Sequence, residues 1–180
     1  MSGSTSLPAH ARRLLLGVLA TGLLAAAGAL VFAASPAHAA GTATASAASQ
    51  ARAARAVRTH KVHRGLAVAL RQIGDPYSRG SAGPNRFDCS GLLYYSLRHA
   101  GFGGVPRTSS AQSQWGRPVS KRNMRRGDMI FFHHGGHVYH AAIFLRWSKG
   151  RALILHSPRT GDHVRKERVW TSQWFARTLR

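Results

Sequence analysis

The chain has 180 residues, 44% of them apolar, and 26 Lys plus Arg against 5 Asp plus Glu, a formal charge of +21. That length and apolar content fit one domain with a real core and exclude a wholly disordered chain. A single cysteine excludes an internal disulfide and a four-cysteine zinc site, and five acids leave little for a calcium cage or a two-carboxylate glycosidase.

Arg12 and Arg13 precede an apolar run from Leu14 to Ala34, Pro36 breaks it, and Ala37-His38-Ala39 follows. A basic start, an apolar middle and a small-residue exit predict a secretory signal over residues 1–39, cleaved after Ala39. The same run is also long enough to span a bilayer uncleaved; the small-residue exit favours cleavage. Cleavage would leave 180 − 39 = 141 residues with a charge of 24 − 5 = +19. A secreted or wall-bound protein this basic is drawn to polyanions.

Residues 40–60 are Ala, Thr, Ser and Arg and read as a basic linker or frayed helix. Arg52, Arg55 and Arg58 would form a stripe on such a helix, with no apolar face to bury. The domain proper spans 61–180. Val62, Leu66, Leu70 and Ile73 have helical spacing, and Gly74-Asp75-Pro76 stops the helix. After a loop from Ser78 to Arg86, Asp88 can cap a second helix with Cys89 in its first turn. Cys89, Leu92, Leu93 and Leu97 share one face of it, and Gly101 ends it. A short helix is expected around Ser109 to Trp115. Strands follow at Met129–Phe132, His140–Leu145, Ala152–His156, Val164–Val169 and Phe175–Leu179. Helices first and an antiparallel sheet after them predict an α+β fold.

Cys89 sits in Phe87-Asp88-Cys89-Ser90-Gly91 rather than among apolar neighbours. The unpaired N–H groups of a helix start favour a thiolate, so a lowered pKa and a nucleophilic role are expected. A buried inert thiol is the plainer reading of a lone cysteine. Eleven histidines leave the choice of base to geometry. A hairpin turn centred on Ser148 makes paired positions sum to 296, which sets His140 opposite His156. Facing side chains there lie about 4.5–5.5 Å apart, so one imidazole can orient the other. The expected set is Cys89 as nucleophile, His140 as base and His156 as orienter, with the Cys89 N–H for the oxyanion.

Gly74-Asp75-Pro76-Tyr77 and Phe87-Asp88-Cys89-Ser90-Gly91-Leu92 resemble motifs of the NlpC-type (p-sixty) papain-like cell-wall peptidases. The resemblance continues in order through Pro106-Arg107-Thr108-Ser109, Gln112, and Arg126-Gly127-Asp128-Met129-Ile130-Phe131-Phe132. Tyr139-His140-Ala141-Ala142-Ile143-Phe144 and Ile154-Leu155-His156-Ser157-Pro158 complete it. It implies a papain-like core and hydrolysis of peptidoglycan stem peptides, commonly between D-glutamyl and diaminopimelyl residues. It also implies catalytic roles for Cys89, His140 and His156, and substrate-side roles for Tyr77, Asp88, Ser90 and Arg107. No cofactor is implied. The sequence departs from the family's usual Ser-His-Val-Gly at Tyr139-His140-Ala141-Ala142 and from its Gly-Gly at Gly80-Ser81, which bears on substrate preference.

His133, His134, His137 and His140 invite a metal reading, but Gly135-Gly136 predicts a loop there, and no metal is expected. Two other functions share these residues. The same Cys–His pair would serve an amidase or acyltransferase. The charge alone would suit a noncatalytic binder of anionic wall polymer or nucleic acid; in the enzyme reading the basic surface, including Lys121-Arg122 with Arg125-Arg126 and Arg165-Lys166 with Arg168, is expected to hold anionic wall polymers. Specific nucleic-acid binding is not expected, and the protein is expected to be a monomer.

Overall fold

A computed structural model describes residues 36–180, with side chains from residue 44 onward. The signal expected over 1–39 therefore lies outside the described residues, apart from 36–39. Helix α1 runs from Pro36 to Leu70, so the helix expected from Val62 begins far upstream. Alanine and arginine are strong helix formers, and they carry the helix through residues 44–58, which stay exposed. Only its last turns pack: Val62, Leu66 and Ala69 are buried, and the helix rests on α2. Among the described residues no helix is long and apolar enough to cross a membrane.

Helix α2 spans Cys89–His99, and its cap is the expected one: Asp88 Oδ1 accepts the Gly91 N–H at 2.6 Å. Leu92, Leu93 and Leu97 are buried on one side of it. Helix α3, Ser109–Gln114, is capped by Thr108. Its buried Gln112 donates to the carbonyls of Ser90 at 2.9 Å and Pro106 at 2.8 Å, tying α3 to the start of α2.

Among the described residues six strands form one antiparallel sheet: β1 Arg117–Val119, β2 Met129–His134, β3 His137–Ser148, β4 Arg151–His156, β5 Arg165–Arg168 and β6 Trp174–Thr178. Their order is β1-β6-β2-β3-β4-β5. Strand β1 is too short and polar to leave a sequence signal. Strand β3 is longer at both ends than the expected His140–Leu145, because pairing with β2 and β4 carries its polar ends. The continuous apolar run Met129–Phe132 reflects a sheet buried on both faces. Met129, Phe131, Ala141, Ile143 and Leu155 meet the helices. Ile130, Phe132, Ala142, Phe144 and Ile154 meet Met124, Val169, Trp174 and Ala176 on the other side.

The β3–β4 register differs from the expected one. The turn residues are Lys149 (φ 52°) and Gly150 (φ 72°), both left-handed as a tight two-residue hairpin turn requires. Ser148 pairs with Arg151, a sum of 299; a bulge at Leu145 then reduces the sum to 298, with Ile143 opposite Leu155. The expected sum of 296 is short by two. A slip of two preserves the face, so His140 and His156 still share a side, as diagonal rather than direct neighbours.

Candidate active site

The start of α2 is built around a carboxylate. Asp88 Oδ2 accepts the Gly80 N–H at 2.9 Å and an Arg107 guanidinium N–H at 2.8 Å. Its Oδ1 accepts from Arg107 at 3.1 Å and from the Ser90 hydroxyl at 3.1 Å. Burial works to raise the Asp88 pKa, but the Arg107, Gly91 and Ser90 hydrogen bonds outweigh it and hold the carboxyl below its ordinary range. Position 91 must be glycine, because a Cβ there would collide with the Ser81 carbonyl oxygen. The structure thus joins Asp88, Ser90 and Arg107 in one cluster. Tyr77 lies within their field: burial first, then the charges of Cys89 and Asp88, raise its pKa.

Cys89 is half-buried and unpaired with any other cysteine. The expected lowering of its pKa does not occur. Burial pushes the thiol up, and the Asp88 charge adds to that; the N–H groups of Ala141, Ser90 and Cys89 act in the opposite direction without prevailing. The Ala141 contact sets the sulfur against the backbone of β3, one residue from His140. No hydrogen bond joins Cys89 to the His140 ring among the described residues.

His140 and His156 are both buried, with Nε2 of His140 2.9 Å from Nδ1 of His156 and the rings at 81°. His156 Nε2 lies 3.2 Å from Glu167 Oε2, and that oxygen also accepts from Arg165 at 2.8 and 3.0 Å. The chain of bonds assigns the tautomers. A carboxylate only accepts, so His156 carries its proton on Nε2 and accepts at Nδ1. His140 must then donate from Nε2, which leaves its Nδ1 as the free lone pair. Burial, and secondarily the His156 charge, push the His140 pKa down to about 3. Burial also lowers that of His156, against the pull of Glu167. At neutral pH both imidazoles are uncharged.

Sequence reasoning missed two residues here. Glu167 alternates with Lys and Arg on β5, and nothing local marks it as a partner of His156; only the β4–β5 pairing, Ile154 opposite Glu167, brings it near. Trp170 stacks on Phe132 at 4.4 Å and lies 5.8 and 5.7 Å from the His140 and His156 rings. With Tyr139, Arg165 and Glu167, the Trp170 ring and the two imidazoles line a cavity of about 360 Å³. Cys89 is not among its lining residues; it approaches from the helix-covered face. Among the described residues no three His, Cys, Asp or Glu side chains converge as a metal site. The four-histidine stretch instead occupies the β2–β3 hairpin, with Gly135 and Gly136 at its turn.

A capped helix that sets a cysteine against an antiparallel sheet, itself carrying a histidine pair, defines a papain-like α+β domain. The NlpC/P60 family model matches residues 74–180, and the chain belongs to that family. It is 37% identical over 100 residues to a probable endopeptidase of Mycobacterium tuberculosis, covering 56% of this chain and 24% of that protein. The NlpC/p60 domain of the peptidoglycan hydrolase SagA superposes with a TM-score of 0.58 at 30% identity, covering 66% of this chain and 98% of that one. RipD of Mycobacterium tuberculosis, described as a non-catalytic NlpC/p60 protein adapted to peptidoglycan binding, superposes with a TM-score of 0.55 at 27% identity, over 66% of this chain and 97% of that one. The chain spans less than half the length of the curated relatives it matches.

Proposed function

We propose that this protein is a secreted, monomeric cysteine endopeptidase that hydrolyses peptidoglycan stem peptides, at the bond between D-glutamyl and diaminopimelyl residues. The observation that carries this reading is the polarised chain Glu167–His156–His140, which leaves one lone pair on His140 a single residue from the backbone that holds Cys89. In this mechanism His140 Nδ1 takes the Cys89 proton as the sulfur attacks the scissile carbonyl carbon. The Cys89 N–H supports the oxyanion. The tetrahedral adduct collapses, the C–N bond breaks, and the His140 proton goes to the leaving amine, giving a thioester. Water, deprotonated by His140, then attacks the thioester and releases the acid and the free thiol. His156 and Glu167 orient the base and stabilise the imidazolium that forms transiently.

The resting pair in this scheme is neutral thiol and neutral imidazole, because burial disfavours both charges. That replaces the thiolate–imidazolium pair that the helix start alone suggests. Asp88, Ser90, Arg107 and Tyr77 form the substrate-side wall, and the basic surface draws the enzyme to anionic wall polymers. Residues 1–39 act as the export signal.

The test is to incubate purified wall peptides with wild-type and Cys89→Ala protein and to weigh the fragments. New amino and carboxyl ends within the stem peptide, absent with Cys89→Ala, support the reading. Release of the whole stem from sugar would instead identify an amidase. Peptide binding without cleavage by wild type would make this chain a binder, as RipD is described to be.

A further inference from the structure

Across the sheet from the histidine pair, a cavity of about 490 Å³ opens between α1, the edge strand β1 and the 3-10 turn at Lys121–Asn123. Arg55, Arg117, Arg122, Arg125 and Arg180 line it, and among the described residues no acidic side chain does. Arg180 has a carboxylate partner, Asp128 at 2.5 Å. The other four make no ion pair among the described residues; Arg117 reaches only the main-chain oxygen of Arg180. The crowding is felt. Burial lowers the Arg180 pKa, Asp128 works against that, and the charges of Arg125 and Arg55 push it down further. Five like charges that converge on a concave surface with one carboxylate partner among them are unfavourable when the site is empty, and they form a strong field for an anion.

We propose that this cavity is a binding site for a flexible phosphodiester polyanion of the cell wall, seated between α1 and β1. Guanidinium groups match phosphate oxygens through paired N–H donors. The lining also narrows the class of ligand. Among the described residues no aromatic ring faces the cavity, whereas single-stranded nucleic acid is held largely by stacking on such rings. Its apolar lining residues are Pro118 and Val119, too small for the inserted face that membrane binding uses. What remains is charge and shape, suited to a polymer of phosphates joined by small polyols. The site explains why the exposed stretch of α1 bears arginines: Arg55 supplies one wall. It also lies on the edge opposite β5, so a bound polymer would leave the histidine cavity open.

The experiment measures binding of the full chain to a synthetic glycerol-phosphate oligomer by titration calorimetry, at several salt concentrations. Four neutralised guanidiniums predict a log–log slope of about −2.8 and about a 50-fold loss of affinity between 50 and 200 mM salt, at roughly 0.7 counterions per contact. A triple variant, Arg55→Gln, Arg117→Gln and Arg122→Gln, is expected to bind at least about tenfold more weakly at 50 mM and to reduce the slope to about −0.7. A control that removes the same charge elsewhere, at exposed residues away from the cavity, Arg71→Gln, Arg146→Gln and Arg151→Gln, is expected to change affinity less than about twofold. Arg→Lys at the three cavity positions keeps the charge and checks the fold; it should retain most of the affinity. Equal losses in the cavity and control variants would overturn the proposal, as would tighter binding, lost in the same variants, to phosphatidylglycerol vesicles or to a single-stranded oligonucleotide. Binding is read without turnover, so the outcome is independent of the peptidase reading.

Discussion

The two walls of the candidate site handle charge in opposite ways. On the helix side Asp88 is ionised, held by Arg107, Ser90 and two backbone N–H groups. On the sheet side His140 and His156 pack against Trp170, His140 also against Phe132, and both are kept neutral. Both walls are substantially buried, so burial alone does not set protonation. What differs is the partner. A guanidinium offsets the cost of a buried carboxylate, whereas a second imidazole offers His140 only a neutral acceptor.

The most severe way to break this contrast is to remove the reacting groups. Cys89→Ala and His140→Ala are each expected to lower stem-peptide cleavage at least about a thousandfold, with wall binding retained; His156→Ala should cost less than His140→Ala, since it orients the base without transferring the substrate proton. A His156 variant as inactive as the His140 variant, and still folded, would merge their roles.

Acid should act next, through the sheet wall. The folded pKa of His140 is depressed, so the unfolded chain takes up the proton first and acid favours unfolding. That contribution is intact above the ordinary imidazole value of about 6.5. It is lost by about 1.4 kcal/mol per pH unit below that, until the folded protein itself titrates at about 3. Denaturant titrations between pH 7 and 4 should show this slope, flattened in His140→Gln.

On the helix wall, Arg107→Gln strands a half-buried carboxylate and should destabilise the domain by roughly 1–2 kcal/mol, discounted for the partial exposure of the pair. Asp88→Asn added to it should recover part of the loss, as measured by thermal melting.

The smallest expected effect sharpens the tautomer assignment. Glu167→Gln should slow cleavage by about tenfold without loss of fold, because an amide offers His156 either a donor or a weaker acceptor. Alkylation of Cys89 by iodoacetamide should follow an apparent pKa above that of a free thiol in both proteins. A value near neutrality would restore the preformed ion pair and remove the contrast between the walls.

Local chemistry made much of this legible in sequence. Asp88 as a cap, Leu92, Leu93 and Leu97 as a buried face, and the order of helices before strands all depend on near neighbours or on one periodicity. The contact between His140 and His156 was legible for a weaker reason. Turn position and bulge shift the register in opposite senses, and the net slip of two happens to preserve the face. The rest needs distant chain. Glu167 acquires its role from strand pairing, and Trp170 from a return over the sheet. The direction of the Cys89 shift depends on how deeply the thiol sits, which no spacing of residues encodes.

The place of β6 has a consequence for timing. Strands β1 and β2 are near neighbours along the chain, yet β6 separates them in the sheet and pairs with both. Neither has its full set of ladder bonds until residues 174–178 arrive. A nascent chain halted before that point keeps β2 unzipped along one border and cannot lock, and such distant closure is slow. Under the export proposed above, that delay would keep the chain threadable while it is being made and let it close once its last strand is through.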